Sequence, residues 1–179
     1  MKTKNRYELT KTKYLLDSEV EHLNAVLSRF SETDPRDTAI ISLLLYTGAR
    51  AQEALNIKAE DLDPSEQTVF IRGLKGSDNR EVALPPWLFK QIQTLVTDDG
   101  SIFKINYLKL WRIWRNYRPV KKNLHSLRHT FAINFYRKSK DLLLLKSMLG
   151  HRSISNTMIY STYQHKTVES RKTLLTLYK

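Results

Sequence analysis

The sequence predicts an α+β fold, mainly helical, with one small antiparallel β-hairpin. Apolar residues recur at helical spacing through most of the chain, and between residues 67 and 84 the period switches to two. At 179 residues and 41% hydrophobic content, the chain can fill one core. No linker or repeat interrupts it, so one domain is expected over 14–179, preceded by a basic, flexible arm over 1–13.

The elements follow in order. A first helix begins near Asp17, with Asp17 or Ser18 as its cap, and places Val20, Leu23, Val26, Leu27 and Phe30 on one face. The second has Asp34 as N-cap, Pro35 at its first position and Gly48 as terminator. Its near-continuous apolar run over 39–46 predicts burial on most sides. A short helix over 51–57 comes next. In QTVFIRGLKGSDNREVALP, Val69 and Ile71, then Val82 and Leu84, alternate with polar residues around the turn-forming GSDN, so Lys75 falls at or near a hairpin tip. Pro85-Pro86 restarts a helix through Trp87, Leu88, Ile92 and Leu95. Further helices are expected over 106–117, 125–137, 141–149 and 154–163.

A formal charge of +12, from 30 Lys and Arg against 18 acids, favours a polyanionic partner, most often nucleic acid. The absence of cysteine excludes disulfides and zinc–thiolate sites. No apolar run approaches the roughly 20 residues that span a bilayer, and the first residues lack a signal-peptide core, so an intracellular location is expected.

Several polar residues sit where apolar patterns break. Arg50 follows the terminator of the buried helix, and Glu53 can face it across one turn. Lys75 lies on the hairpin, and His125 and Arg128 share a face at the start of a helix. His151 follows Gly150, and Tyr160 lies nine positions further on. Each has an ordinary structural reading: a solvated arginine, an exposed turn lysine, histidines at helix ends, a core tyrosine with its hydroxyl at the rim. Together they make chemical sense. Two guanidinium groups can clamp the non-bridging oxygens of a phosphodiester, imidazoles can donate to it or move protons, a lysine can protonate a leaving 5′-hydroxyl, and a phenol can attack.

YTGARAQE at 46–53, HSLRHTF at 125–131 and LGHRSISNTMIY at 149–160 resemble, in order and separation, the three signature boxes of the tyrosine recombinase (phage integrase) family, with the hairpin lysine between the first and second. The likeness covers nearly the whole chain from about residue 14. It implies a recombinase catalytic domain that cleaves and rejoins DNA through a 3′-phosphotyrosine without metal or other cofactor, for integration, excision or inversion. Arg50 and Arg128 would be the catalytic arginines, Glu53 the acid that fixes Arg50, Lys75 the general acid, His125 and His151 the phosphate-site histidines and Tyr160 the nucleophile. Tyr163 is a rival nucleophile that the spacing from His151 disfavours.

The resemblance also implies double-stranded DNA as partner, a homotetramer on two DNA sites, and the cytoplasm of a prokaryote or its virus as setting. The family's N-terminal core-binding domain is expected to be absent from this sequence, which would be either a natural short member, resembling the fimbrial phase-variation recombinases, or the catalytic portion of something longer. Within WRIWRNYRPVKK, Arg112, Arg115, Arg118, Lys121 and Lys122 are candidate DNA contacts, unless they form a solvated face over Trp111 and Trp114 in the core. The amphipathic tail 165–179, with Val168, Leu174, Leu175 and Tyr178, would fold back on its own domain or dock on a neighbouring protomer. The alternatives are a non-catalytic helix–turn–helix DNA-binding protein, in which 141–163 is the recognition unit, and a type IB topoisomerase-like enzyme.

Overall fold

A computed structural model describes residues 8–74 and 76–177, with the backbone alone over 165–169. The chain runs α1 (Asp17–Arg29), α2 (Pro35–Thr47), α3 (Ala51–Leu55), β1 (Leu62–Asp63), β2 (Thr68–Ile71), β3 (Arg80–Ala83), α4 (Pro86–Gln93), α5 (Tyr107–Tyr117), α6 (Ser126–Ser139), α7 (Leu142–Leu149) and α8 (Ser155–Leu177). Short 3-10 turns occupy Lys11–Lys13 and Ala59–Asp61. Among the described residues no helix is long and apolar enough to cross a membrane.

Helix α2 is the axis of the core. Pro35 supplies a preset φ at its start, and Gly48 ends it at φ +63, where a β-carbon would collide with the Phe131 ring. Between them residues 38–45 are all buried, which accounts for the unbroken apolar run. Asp34 sits at the N-cap position, but its carboxylate accepts the Tyr117 hydroxyl at 2.9 Å instead of capping the helix. Helix α1 also departs from expectation. Its N-cap is Leu16, not Asp17 or Ser18, and the Glu19 carboxylate accepts the Leu16 N–H at 2.7 Å.

Strands β1, β2 and β3 form an antiparallel sheet in that order, with Val69 opposite Val82 and Ile71 opposite Arg80. The hairpin follows the predicted alternation. The two-residue β1, paired through Leu62 and Val69, is too short to show a period in sequence. Position 75, the expected hairpin lysine, lies outside the described residues. Helix α4 forms as expected, but Trp87 leaves the buried face: it is about half exposed and meets Tyr46 edge-on at 5.7 Å between centroids.

The main apolar cluster lies between α1–α6 and the sheet. A second, smaller cluster joins Leu9 and Tyr14 to Ala132 and Ile133 of α6, Leu145 and Leu149 of α7 and Tyr160 of α8. The expected flexible arm is therefore shortened at its inner end. Leu9 is buried and Lys11–Lys13 form a turn, while residues 1–7 lie outside the described residues. Helix α8 differs most. Instead of stopping near residue 163, it continues to Leu177, and Leu174, Leu175 and Leu177 are exposed rather than folded back on the domain. Val168 and Tyr178, the other expected members of that stripe, are not described at side-chain level.

Candidate active site

Termination of α2 at Gly48 puts Arg50 at the N-cap of α3 and Glu53 at its third position. The fully buried Glu53 carboxylate accepts the Arg50 backbone N–H at 2.9 Å on Oε2 and the Arg50 guanidinium at 2.8 Å on Oε1. This is the predicted contact across one turn. A second guanidinium, Arg80 at the head of β3, donates to Oε2 at 2.8 Å. Burial would raise the Glu53 pKa, but the hydrogen bonds from Arg80 and Arg50 outweigh it and hold the carboxyl below its ordinary value. Arg50 also donates to the hydroxyl of Ser77, which anchors the hairpin loop beside it.

Arg128 lies in the first turn of α6 and is buried. Its guanidinium donates to the carbonyls of Gly48 (2.6 Å) and Leu149 (2.7 Å), at the C-terminal ends of α2 and α7. Those ends carry unpaired carbonyls and partial negative charge, so a buried cation is well placed there. Burial, then the charges of Arg50 and Arg80, bring the Arg128 pKa down to about 10, and it stays cationic at neutral pH.

The same Arg128 nitrogen lies 3.0 Å from Nε2 of His151. A guanidinium offers no lone pair, so Nε2 accepts and the ring proton sits on Nδ1, which donates to the Thr157 hydroxyl at 2.9 Å. His151 is therefore neutral. Burial, followed by the Arg128 and Arg50 charges, pushes its pKa down to about 4. His125 lies beside these cations, and its pKa is lowered too, by desolvation of the ring and then by the charges of Arg128 and Arg50. A cavity of about 420 Å³ is lined by Arg50, His125 and Arg128 together with Leu74, Tyr107 and Leu124. The two arginines, 78 positions apart in the chain, thus face one basic cavity.

Tyr160 is not on the wall of that cavity. It is 2% exposed within the second apolar cluster, and its hydroxyl is 3.0 Å from Nδ1 of His129. His129 is pushed down to about 3 by burial and by the adjacent His125 and Arg128. The Tyr163 hydroxyl meets that of Tyr14 at 2.8 Å.

These neutral histidines predict an acid response. Both folded-state values lie below the ordinary 6.5. Below about pH 6.5 the unfolded chain takes up protons that the folded chain refuses, so stability falls as pH drops from there toward 4. Thermal melts across that range should show the fall, and His151→Gln should remove part of it. An identical pH profile for the variant would contradict the neutral assignment.

The candidate DNA-contact run divides. Arg112, Arg115 and Lys121 are exposed, with the Arg115 guanidinium 4.8 Å from the centre of the Trp111 ring. Arg118 is half-buried and donates to the Lys122 carbonyl at 3.3 Å. Lys122 does not fit the DNA-contact expectation: its side chain is 10% exposed, and its ammonium is held by Glu19 and the Tyr14 carbonyl. Nor do both tryptophans enter the core. Trp114 is buried and donates to the Lys122 carbonyl at 2.9 Å, whereas Trp111 is 39% exposed.

Sequence reasoning missed Arg80, Ser77, His129 and Thr157. Only Arg80 left a signal, since the alternation of Val82 and Leu84 puts residue 80 on the inward face of its strand.

With this geometry in place, comparison with known proteins is decisive. The phage integrase family model matches residues 13–167. The chain belongs to the phage integrase family. It is 31% identical over 168 residues to the tyrosine recombinase XerA of Pyrococcus furiosus, covering 85% of this chain and 58% of that protein. A tyrosine recombinase of Pseudothermotoga lettingae is 33% identical over 161 residues, covering 82% and 55% respectively. The chain therefore spans little more than half the length of these relatives. Among solved structures it is similar to the XerA recombinase, at TM-score 0.72 and 26% identity over 93% of this chain and 66% of that one. It also resembles the XerH site-specific recombinase bound to its difH substrate in a pre-cleavage complex, at TM-score 0.69 and 25% identity over 86% and 50%. The catalytic domain of bacteriophage HP1 integrase matches at TM-score 0.64 and 28% identity over 84% and 87%.

Proposed function

We propose that this integrase-family chain is the catalytic part of a site-specific recombinase that breaks and rejoins duplex DNA through a 3′-phosphotyrosine. The observation that carries the reading is the convergence of Arg50, Arg128 and His125 on one cavity, beside His151. Arg50 and Arg128 clamp the non-bridging oxygens of the scissile phosphate and balance the charge that builds up there during attack. The Tyr160 oxygen forms the bond to phosphorus and passes its proton to the neutral His125 imidazole; the bond to the 5′-oxygen breaks, and that oxygen leaves as a hydroxyl with a proton from Lys75. Reversal with a new 5′-hydroxyl rejoins the strand, so the phosphodiester bond energy is retained. His151 accepts from Arg128 here, and turning Nε2 toward the phosphate requires a proton shift between its two nitrogens.

Tyr160 reaches the phosphate only after leaving His129 and its apolar cluster, so the described conformation precedes cleavage. The exposed Leu174, Leu175 and Leu177 at the end of α8 support assembly with neighbouring protomers into a tetramer on two duplexes. A nicked duplex carrying the correct site should yield a protein–DNA adduct that survives denaturant and forms in EDTA. Binding without an adduct would instead favour a non-catalytic helix–turn–helix protein, and relaxation of supercoils at no particular sequence a topoisomerase.

Phosphate contacts are assigned to Arg112, Arg115, Arg118 and Lys121, and withdrawn from Lys122. Neutralising Arg112 or Arg115 should reduce the slope of log affinity against log salt by roughly 0.9 each on duplex DNA. Lys122→Met should leave the slope unchanged and lower the melting temperature, because it strands Glu19. A changed slope for Lys122→Met would restore it as a DNA contact.

A further inference from the structure

Arg80 holds Glu53 but has no role in the reaction proposed above, and its setting is unusual. It opens β3 on the inward face with Val82, and its side chain is 4% exposed. One nitrogen, Nη2, holds Glu53 Oε2, the oxygen that also accepts the Arg50 backbone N–H. The other two, Nε and Nη1, are buried with no hydrogen-bond partner among the described residues. Leaving buried donors of a charged group unpaired is costly, so such a group calls for an explanation.

The unpaired edge faces the third box. Nη1 lies 3.0 Å from the point a β-carbon on residue 150 would occupy. Gly150 holds φ +64, its carbonyl accepts the Asp78 N–H at 3.0 Å, and the turn it makes delivers His151. A β-carbon at 150 would also fall 2.6 Å from the Asp78 carbonyl, so glycine is what allows the hairpin loop and the His151 turn to close over Arg80. Arg80 thus touches the carboxylate that orients Arg50 and the turn that presents His151, while lying too deep to reach a phosphate itself.

We propose that Arg80 is a positioning residue for strand cleavage. It keeps the buried Glu53 ionised and shared with Arg50, and thereby sets the Arg50 guanidinium against the scissile phosphate. A carboxylate with no exposure and a single cation partner would favour its protonated form, and a protonated Glu53 gives up one of the acceptors that hold Arg50. Arg80→Met therefore places a titration of Glu53 within the working pH range. Its charge is also felt by Arg128 and His151, whose pKa values it lowers.

This inference rests on the proposed strand-cleavage function, and the test separates the two. Single-turnover formation of the covalent adduct on a nicked duplex is measured across pH 5–9, about the range in which a buried carboxyl can be moved. Wild-type protein must form the adduct; if it does not, the function itself fails. If it does, Arg80→Met should cleave roughly ten- to a hundredfold more slowly at neutral pH with DNA affinity little changed, as expected for a misplaced catalytic group. Its acid limb should move up by about a unit or more. Adding Glu53→Gln should erase that limb. Arg80→Lys, which keeps a cation beside Glu53, should recover most of the rate with its limb unmoved. A folded Arg80→Met with the wild-type rate, or slowed equally at every pH, overturns the proposal. If Arg80→Met does not fold, a wild-type rate in Glu53→Gln overturns it, since an ionised carboxylate would then not be needed to set Arg50.

Discussion

Replacing Tyr160 with phenylalanine is expected to abolish the covalent adduct, while Tyr163→Phe retains it. The expectation is all-or-none because in the proposed reaction the hydroxyl oxygen is the atom that bonds to phosphorus, and no other atom of the ring can replace it. The phenylalanine ring fits the same buried space among Leu9, Ala132, Ile133, Leu145 and Leu149. What the fold loses is the hydroxyl's contact with His129, on the order of 1 kcal/mol, so the variant stays folded at room temperature. The rival sits one helical turn further on, and its hydroxyl is committed to Tyr14, the residue that ties the segment before α1 onto α8. Tyr163→Phe should therefore loosen that segment and leave the adduct intact. Denaturing gels of both variants on a nicked duplex decide the matter: an adduct from Tyr160→Phe, or none from Tyr163→Phe, reverses the assignment.

What could be read from the chain depended on the range of the interaction that decides each feature. Local signals succeeded. Pro35 and Gly48 bracket α2 because a fixed φ and a positive φ are properties of single residues. The alternation around GSDN gave the hairpin, and the Arg50–Glu53 contact spans one turn. Long-range pairings were not visible in the same way. Lys122 reads as one more solvated cation until Glu19 and the Tyr14 carbonyl, more than a hundred positions away, enclose it. Trp111 and Trp114 are three apart and look like one buried face, but α5 turns Trp114 inward and leaves Trp111 to stack under Arg115.

The end of α8 failed differently. No glycine or proline follows Tyr163, so nothing local stops the helix, and the end expected near residue 163 has no terminator behind it. At the site, the box residues were legible because their types and spacings are distinctive. Arg80 and His129 were not, since their roles come from Glu53 and Tyr160, which only folding brings to them.

Arg128→Ala is the substitution expected to cost the most after Tyr160, because Arg128 works in the fold and the proposed reaction at once. Its guanidinium satisfies the carbonyls that end α2 and α7 and holds the Nε2 of His151. Truncation leaves two buried acceptors without that donor, at about 1–3 kcal/mol each, so the melting temperature should fall by several degrees or more. The loss in cleavage should be larger, roughly a hundred- to a thousandfold or more, because an aimed cation at the developing charge is lost. Arg128→Lys separates the two roles. An ammonium restores positive charge but cannot fork between Gly48 and Leu149 while also holding His151, so stability should recover in part and cleavage should stay slow. The measurement is single-turnover adduct formation well below each variant's melting temperature, with DNA affinity determined in parallel. Equal recovery of cleavage and stability in the lysine variant would mean that Arg128 acts on the reaction through the fold alone, and the guanidinium pair around one phosphate would have to be abandoned.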